Sequence, residues 1–123
     1  MHITPSPLPE VRPHMGLFSR TPNSLEIDVH EAHALQAEGA TLVDIRESWE
    51  WAQGRAAGAR HMPLGQIAIG MQRLPRDKPV LLICASGNRS KMAAKFLQER
   101  GFEAKSVRGG TSAWARASLP LQF

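Results

Sequence analysis

The chain has 123 residues, a formal net charge of +4 and one cysteine. Its length suits a single domain, and one cysteine excludes both an internal disulfide framework and a metal site built from several thiolates. No stretch approaches the ~20 apolar residues of a membrane span, so we expect no membrane partner. A lone thiol suits a reducing compartment, which favours a cytoplasmic protein.

Prolines mark the beginning of the chain. Residues 1–23 contain five of them, at positions 5, 7, 9, 13 and 22, a composition typical of extended and mobile segments. The sequence therefore predicts a flexible Pro-rich leader over residues 1–23 and a folded domain over residues 24–123.

Charge is distributed unevenly along the chain. Residues 60–123 hold eleven Arg and Lys against three Asp and Glu, whereas residues 1–59 hold four against eight. A basic surface attracts anions, and nucleic acid is one candidate. The sequence shows no helix-turn-helix pattern, no repeat and no aromatic stacking platform, however. We therefore expect small anions as partners and no nucleic acid.

Beyond the leader, short apolar runs alternate with helical patterns. A brief strand over 25–28 leads into a helix in which Asp28 and Glu31 form a capping-box-like start and which ends before Gly39. Further strands are predicted at 41–45, 61–62, 80–83 and 104–107, and further helices at 47–53, 66–73, 90–100 and 111–117. This alternation predicts an α/β fold, with a central, mostly parallel sheet and helices on both faces.

The cysteine follows the most apolar of these strands. Four apolar residues, Val80 to Ile83, lead directly into Cys84, as in a buried parallel strand. A short loop then leads to the helix that Gly101 ends. Cys84 is therefore expected at the carboxyl end of a central strand and opposite the amino end of a helix, where open α/β sheets bind their ligands.

The loop after the cysteine favours a reactive thiol. Successive N–H groups of a short loop containing Gly87 form an anion-binding concavity, the helix behind it adds positive charge at its amino end, and Arg89 supplies a fixed cation. Such surroundings lower a thiol pKa from ~8.5 to between ~3.5 and ~7.5. The plain alternative is a buried structural cysteine, which does not require Gly, Asn and Arg in the adjoining loop.

Four segments in order resemble the rhodanese (sulfurtransferase) family. Cys84-Ala85-Ser86-Gly87-Asn88-Arg89-Ser90 resembles its active-site loop. The other three are Leu42-Val43-Asp44-Ile45-Arg46-Glu47 with Trp49-Glu50, then Gly58-Ala59-Arg60-His61-Met62-Pro63-Leu64, and finally Gly109-Gly110 with Trp114. The likeness spans about Ile27 to Leu121. The chain departs from the family at Gly54-Arg55-Ala56-Ala57, where Gly-His-Ile-Pro is usual, and at Ala85, where many members carry Arg or Lys.

This resemblance implies a five-stranded sheet and a thiosulfate sulfurtransferase. Cys84 would be the catalytic residue and would carry sulfur as a persulfide. The residues implied to bind substrate are Ala85, Ser86, Gly87, Asn88, Arg89 and Ser90. The implied partners are a small anionic sulfur donor such as thiosulfate and an acceptor, which is cyanide, a thiol or a sulfur-accepting protein. No metal or organic cofactor is implied.

Several other side chains attract a functional interpretation. Asp44 and Arg46 end a strand at the same edge of the sheet, and we expect them to hold the loop through ion pairs rather than to touch substrate, with Glu50 as a candidate partner for Arg46. His30 and His33 lie three residues apart on a helix without an evident third metal ligand, so a solvated helix face is expected. Trp114 is expected in the core, and at least one of Trp49 and Trp51 at the surface.

Two alternatives to a sulfurtransferase remain open. A cysteine phosphatase or arsenate reductase has a related loop with five residues between Cys and Arg, whereas this chain has four, which suits a sulfur atom better than a phosphate. A sulfur-carrier or partner-binding module without thiosulfate turnover is the other. A papain-like protease would need a paired His, which nothing in the sequence places.

Overall fold

The computed structural model describes residues 24–123, and the predicted leader over residues 1–23 lies outside the described residues. Seven strands and five α-helices alternate along this part of the chain. The strands are β1 (Glu26–Ile27), β2 (Thr41–Asp44), β3 (Arg55–Ala56), β4 (Arg60–His61), β5 (Val80–Ile83), β6 (Ala104–Val107) and β7 (Leu121–Gln122). The helices are α1 (Val29–Ala37), α2 (Ser48–Ala52), α3 (Ile67–Gly70), α4 (Asn88–Gln98) and α5 (Gly110–Arg116).

Five of the strands form one parallel sheet. Its order is β1-β6-β5-β2-β4, and every neighbouring pair is parallel. The predicted α/β fold with a five-stranded sheet is confirmed. Strand β5 lies in the middle, between β2 and β6, so Cys84, which follows it, lies at the centre of the carboxyl edge of the sheet.

Two apolar clusters cover the two faces of the sheet. Alternate residues of β5 point to opposite faces, because the side-chain period of a strand is two. Val80 and Leu82 belong to the cluster that includes Ala93, Ala94 and Leu97 of α4. Leu81 and Ile83 belong to the other cluster, whose members from α1 and α5 are Val29, Ala32, Leu35 and Trp114. All four β5 side chains are fully buried, as expected for a central parallel strand.

The predicted elements differ from the observed ones mainly at their ends. Helix α4 begins at Asn88, two residues before its predicted start, because Gly87 at φ +106° already turns the chain into the helix. The helix predicted at 66–73 is a single α-helical turn between two 3-10 turns, at Leu64–Gln66 and Met71–Arg73. The Asp28 side chain accepts a hydrogen bond from the His30 N–H at 2.7 Å and caps α1; the part of Glu31 in this cap stays a prediction.

A second, two-stranded sheet was not predicted. Strand β3 pairs antiparallel with β7, with Arg55 opposite Gln122 and Ala56 opposite Leu121. It uses the segment 54–57 that departs from the family pattern. The Trp114 side chain is fully buried, as expected, and its Nε1–H donates to the Pro120 carbonyl at 2.7 Å. No helix within residues 24–123 is long and apolar enough to cross a membrane.

Candidate active site

The cysteine lies where β5 gives way to α4. Cys84 follows the last residue of β5 and is 1% exposed. Its carbonyl accepts two hydrogen bonds from Thr111 at the start of α5, from the N–H at 2.8 Å and from the hydroxyl at 3.1 Å. The Ala85 carbonyl accepts a further bond from the Ser112 N–H at 3.2 Å. The first turn of α5 therefore fixes the backbone from which the loop departs.

Two glycines allow the loop to approach the neighbouring turn. Gly87 has φ +106°, and a Cβ there would lie 3.2 Å from the Gly109 backbone nitrogen. Gly110 has φ +60°, and a Cβ there would lie 2.6 Å from the Ala85 carbonyl carbon. Only glycine fits such a close backbone contact at a left-handed position without displacing the chain.

The loop curls around the sulfur. The Gly87 N–H donates to Cys84 Sγ at 3.1 Å and the Ser90 N–H donates to it at 3.4 Å. The Ser90 hydroxyl lies 3.4 Å from the same atom. These groups converge on the sulfur because α4 starts immediately beside it, so its unpaired first N–H groups face the sulfur.

These contacts favour the thiolate. Burial raises the pKa of the Cys84 thiol, but hydrogen bonds from the Ser90 hydroxyl and from the backbone N–H groups of Ser90, Gly87 and Ser86 outweigh burial, so the pKa is lowered from its ordinary value. Donors aimed at a sulfur stabilise its charged form, and the thiolate is the nucleophilic form of cysteine. The site can therefore supply an activated sulfur nucleophile.

A second buried hydroxyl lies behind Ser90. Ser106 on β6 is fully buried, as is Ser90, and the two Oγ atoms are 2.6 Å apart. The Ser90 hydroxyl is also 3.2 Å from the Gly87 carbonyl. The sulfur, Ser90 and Ser106 thus form a continuous hydrogen-bonded chain from the loop to the neighbouring strand.

The Arg89 guanidinium binds Glu50 of α2. Its two terminal nitrogens donate to the two carboxylate oxygens at 2.7 and 2.8 Å. The hydrogen bond from Arg89 lowers the pKa of Glu50 to about 2, against the opposing effect of burial. The pKa of Arg89 is raised, chiefly by its hydrogen bond to Glu50 and to a smaller extent by the Coulomb attraction of Cys84. Arg89 therefore lies within electrostatic range of the sulfur, with its hydrogen-bonding fork occupied.

Asp44 and Arg46 form a buried pair at the end of β2. The Arg46 Nη2 donates to Asp44 at 2.8 Å and to the Gly54 carbonyl at 2.7 Å. The expected ion pair is present, and its part in holding the loop stays a prediction. Asp44 takes the Arg46 guanidinium. Glu50, the candidate partner for Arg46, instead forms its hydrogen bonds with Arg89, and Arg46 acts on it through Coulomb attraction. The pair anchors the segment that leads into α2.

The remaining loop side chains lie at the opening of the site. Ser86 and Asn88 are exposed and Ala85 is half-buried, so the side chains of this rim carry no charge between Cys84 and Arg89. The structure places all seven predicted loop residues, Cys84 to Ser90, in one continuous segment at this site. Among them, Ser90 is the residue whose hydroxyl contacts the sulfur. Their part in binding a substrate stays a prediction.

Sequence reasoning missed two contributors to the site and assigned a third to another partner. Ser106 and Thr111 come from the strand and helix next to the loop, and Glu50 acts on Arg89 from a distant segment. The Gly109-Gly110 turn marked the approach of α5, but no local pattern indicated that Ser106 lies against the Ser90 hydroxyl or that Thr111 binds the Cys84 carbonyl. The position of Ser106 depends on the pairing of β5 with β6.

The histidines contribute no metal centre to the described residues. His30 is exposed, and His33 is half-buried with its ring edge-on to Trp114 at 5.6 Å between centroids. Within residues 24–123, no group of three or more His, Cys, Asp or Glu side chains could hold a metal ion.

Comparisons with known proteins identify relatives of this chain. A sulfurtransferase of Allochromatium vinosum is 36% identical over 100 residues, which make up 80% of this chain and 94% of that protein. A rhodanese-related protein from Thermoplasma volcanium has a TM-score of 0.71 and 30% identity, over 79% of this chain and 96% of that one. A thiosulfate sulfurtransferase from Pseudomonas aeruginosa has a TM-score of 0.73 and 26% identity over 81% of this chain, which spans 19% of that longer protein.

The match to a family model extends over most of the folded part. The model described as the rhodanese-like domain matches residues 28–117, from the cap of α1 to the end of α5. This range contains the cysteine loop, the Asp44–Arg46 pair and the turn at Gly109-Gly110. The chain belongs to the family of rhodanese-like domains.

Proposed function

We propose that this domain is a sulfurtransferase that moves sulfane sulfur from a small anionic donor such as thiosulfate to cyanide or a thiol acceptor. The observation that carries the proposal is the environment of Cys84 Sγ. This sulfur accepts hydrogen bonds from the backbone N–H groups of Gly87 and Ser90 and lies beside the Ser90 hydroxyl. A structural cysteine needs no such set of donors. A sulfur that alternates between thiolate and persulfide does.

The first half-reaction loads the cysteine. The Cys84 thiolate attacks the outer sulfur of thiosulfate, a new S–S bond forms at Cys84, and the bond within the donor breaks. The electron pair of that bond leaves with sulfite. The outer sulfur of the persulfide now carries the negative charge, and the loop N–H groups together with the Arg89 cation stabilise charge in this position.

The second half-reaction returns the enzyme to its starting state. Cyanide or a thiolate attacks the outer sulfur, the S–S bond at Cys84 breaks, and its electron pair returns to Sγ. The products are thiocyanate or a persulfide of the acceptor, together with the Cys84 thiolate. No external oxidant or reductant is needed, because one sulfur atom leaves the donor and the same atom enters the acceptor. A sulfur-accepting protein is a further candidate acceptor.

We expect persulfide formation to be detectable on Cys84 alone. After incubation with thiosulfate, intact mass spectrometry should show a gain of one sulfur atom, located by peptide mapping on the peptide that contains Cys84. Addition of cyanide should restore the original mass and release thiocyanate. Mercaptopyruvate and an aryl phosphate serve as further reagents, and the aryl phosphate should not be turned over, because the loop between Cys84 and Arg89 is short.

The matched controls are Cys84→Ser, which keeps the shape of the side chain but removes the sulfur nucleophile, and Met92→Ala on the exposed face of α4. Undiminished thiocyanate formation by Cys84→Ser would contradict the proposal. Loading without release to cyanide or thiols would identify a carrier module instead. Hydrolysis of the aryl phosphate at a rate matching sulfur transfer would favour the phosphatase alternative.

A further inference from the structure

A buried serine outside the loop borders the reacting sulfur through one intermediate. Ser106 lies on β6, opposite Leu82 of β5 in the sheet register, and is fully buried. Its Oγ is 2.6 Å from the Ser90 Oγ, and the Ser90 Oγ is 3.4 Å from Cys84 Sγ. The short distance between the two hydroxyls shows that one donates a hydrogen bond to the other.

The hydrogens available determine the direction of this chain. Each hydroxyl has one hydrogen to donate. When Cys84 is a thiolate, its sulfur has none, so the contact with Ser90 requires the Ser90 hydrogen. The contact between the two hydroxyls must then use the hydrogen of Ser106. The order in the thiolate state is therefore Ser106 to Ser90 to sulfur.

The Gly87 carbonyl competes for the same hydrogen. It lies 3.2 Å from the Ser90 Oγ and 3.5 Å from the Ser106 Oγ. This carbonyl also accepts a bond from the Lys91 N–H at 3.3 Å, so it has a partner without either serine. Ser106 is therefore not required to satisfy a buried group of the loop, and the closest polar contact of the Ser106 Oγ is the Ser90 hydroxyl.

We propose that Ser106 is a positioning residue for sulfur transfer, which orients the Ser90 hydroxyl toward Cys84 Sγ and strengthens its hydrogen bond to the thiolate. A hydroxyl that accepts a hydrogen bond becomes a better donor, since neighbouring bonds in a chain polarise one another. Part of this proposal, the effect on transfer, rests on the proposed function. The effect on the thiolate does not.

The hydrogen-bonded chain from Ser106 through Ser90 to the sulfur matters most when sulfur leaves the enzyme. In the persulfide the negative charge lies on the outer sulfur, and Cys84 Sγ is bonded to two neighbours and uncharged. When an acceptor attacks the outer sulfur, the S–S bond breaks and the electron pair moves to Sγ, where the Ser90 hydrogen meets the new charge. A thiolate of lower pKa leaves faster, so Ser106 should assist the release step.

The Ser106 side chain makes its hydrogen-bond contacts with the Ser90 hydroxyl and the Gly87 carbonyl rather than with a charged group. The charged groups around Cys84 are Arg89 of α4 with its partner Glu50 of α2 and the buried pair of Asp44 and Arg46 at the end of β2. On β6, the buried Lys105 donates to the Ser24 carbonyl, and after its end the exposed Arg108 binds Glu26 of β1. The first turn of α5 contributes no acidic side chain. A change in the Cys84 pKa can therefore be attributed to the hydroxyls.

The protein is well suited to a direct measurement of how Ser106 affects the Cys84 pKa. It has one cysteine and no tyrosine, so the ultraviolet absorbance of a thiolate reports Cys84 without interference from tyrosinate. Ser106→Thr and Ser106→Val introduce side chains of nearly equal volume that differ in a hydroxyl and a methyl group. We expect Ser106→Val to raise the Cys84 pKa by about half a unit to one unit relative to Ser106→Thr.

A double-mutant cycle tests whether Ser106 acts through Ser90. In the Ser90→Ala background the path to the sulfur is missing, so Ser106→Val and Ser106→Thr should give the same Cys84 pKa. Such non-additivity is the signature of residues within one network. If Ser106 were merely structural, its substitution would lower the melting temperature in both backgrounds. The difference in Cys84 pKa between Ser106→Val and Ser106→Thr would then be either absent or the same with and without the Ser90 hydroxyl.

The release step supplies the second measurement. Persulfide loaded from thiosulfate should react with cyanide roughly two- to threefold more slowly in Ser106→Val than in Ser106→Thr, the change expected when the leaving thiolate is more basic by up to one pKa unit. Equal Cys84 pKa values in the two single variants, or an equal difference in the Ser90→Ala background, would overturn the proposal. A chain that fails to load sulfur but shows the pKa pattern would contradict the proposed function and leave the hydroxyl chain standing.

Discussion

Arg89 and Glu50 determine how much charge the mouth of the site presents to a donor. Both ends of the Arg89 fork are bound by Glu50, and the pKa of Glu50 is lowered to about 2, so both groups remain charged throughout the neutral range. The sequence predicts Arg89 as a fixed cation among the residues that bind the donor. The observed pair implies that a donor shares this cation with Glu50 or displaces the carboxylate.

Charge-changing variants of this pair should act in opposite directions on thiosulfate. Arg89→Ala removes the cation and leaves the Glu50 carboxylate without its hydrogen-bonding partner, so kcat/KM should fall by about tenfold or more. Glu50→Gln keeps an oxygen that can accept from Arg89 but removes the competing charge, so kcat/KM should rise by roughly threefold. The double variant should lie between the two. Steady-state kinetics with thiosulfate and cyanide measure all three.

Alkylation of Cys84 by iodoacetamide provides the control, because this reagent is uncharged and reports the thiolate itself. Its rate should change far less than thiosulfate turnover in the Glu50→Gln variant. Thiosulfate kinetics that are unchanged in a folded Arg89→Ala variant would remove Arg89 from donor binding. A fall in Glu50→Gln activity would show that Glu50 holds Arg89 in its productive place rather than competing for it.

At the scale of elements, the sequence predicted best where one continuous segment carries the signal. The apolar run of β5, Gly87 and the amphipathic pattern of α4 lie within a single stretch, and the structure places the strand, the loop and the helix in that order. The reactive environment of Cys84 was predictable for the same reason, since its backbone donors come from the next six residues.

Contacts between distant segments were not predictable from local patterns. The pairing of β3 with β7 joins two-residue strands that lie more than sixty residues apart, and neither has an alternating apolar pattern. The binding of Glu50 by Arg89, rather than by Arg46, joins residues that lie 39 positions apart in the sequence. Ser106 reads in the sequence as one residue of a buried strand, and only the register of β5 with β6 brings it behind Ser90.

The turn before α5 gives a prediction at this scale. Gly110 has φ +60°, and a side chain there would press on the backbone of Cys84 and Ala85, which cannot move aside as a flexible side chain can. Gly110→Ala should therefore lower the free energy of unfolding by about 2–4 kcal/mol, as expected for a strained position with a backbone clash. Because the clash displaces the cysteine loop, sulfur loading should fall more than the melting temperature alone explains.

Gly65→Ala is the matched control. Gly65 does not have a positive φ, and no atom of a residue beyond its two chain neighbours lies within 4 Å of a Cβ built at this position, so the same substitution should change stability by less than about 0.5 kcal/mol. Thermal unfolding followed by circular dichroism gives both values, and intact mass after thiosulfate gives the loading. Equal stability and loading of the two variants would show that the α5 turn does not constrain the loop.

At the scale of the whole molecule, the last described residues tie the end of α5 to the segment between α2 and β4. The Pro120 carbonyl accepts hydrogen bonds from the Trp114 Nε1–H at 2.7 Å and from the Ala57 N–H at 2.9 Å. Strand β7 continues this connection by pairing with β3. On the face of the sheet that α1 and α5 cover, a long-range contact centred on the fully buried Trp114 therefore joins α5 to the segment between α2 and β4. This contact closes that side of the domain.

Matched replacements of two tryptophans test the importance of this closure. Trp114→Phe removes the donor to Pro120 and part of a fully buried ring, so the free energy of unfolding should fall by about 2–4 kcal/mol, the sum of a lost hydrogen bond and a cavity in the core. Trp49→Phe changes a side chain that is 65% exposed and should cost less than about 0.5 kcal/mol. Denaturant unfolding at equilibrium measures both. The Cys84 pKa should remain unchanged in Trp114→Phe, since the opposite end of α5 binds the cysteine loop. Similar free energies of unfolding for Trp114→Phe and Trp49→Phe would contradict the view that Trp114 closes this side of the domain.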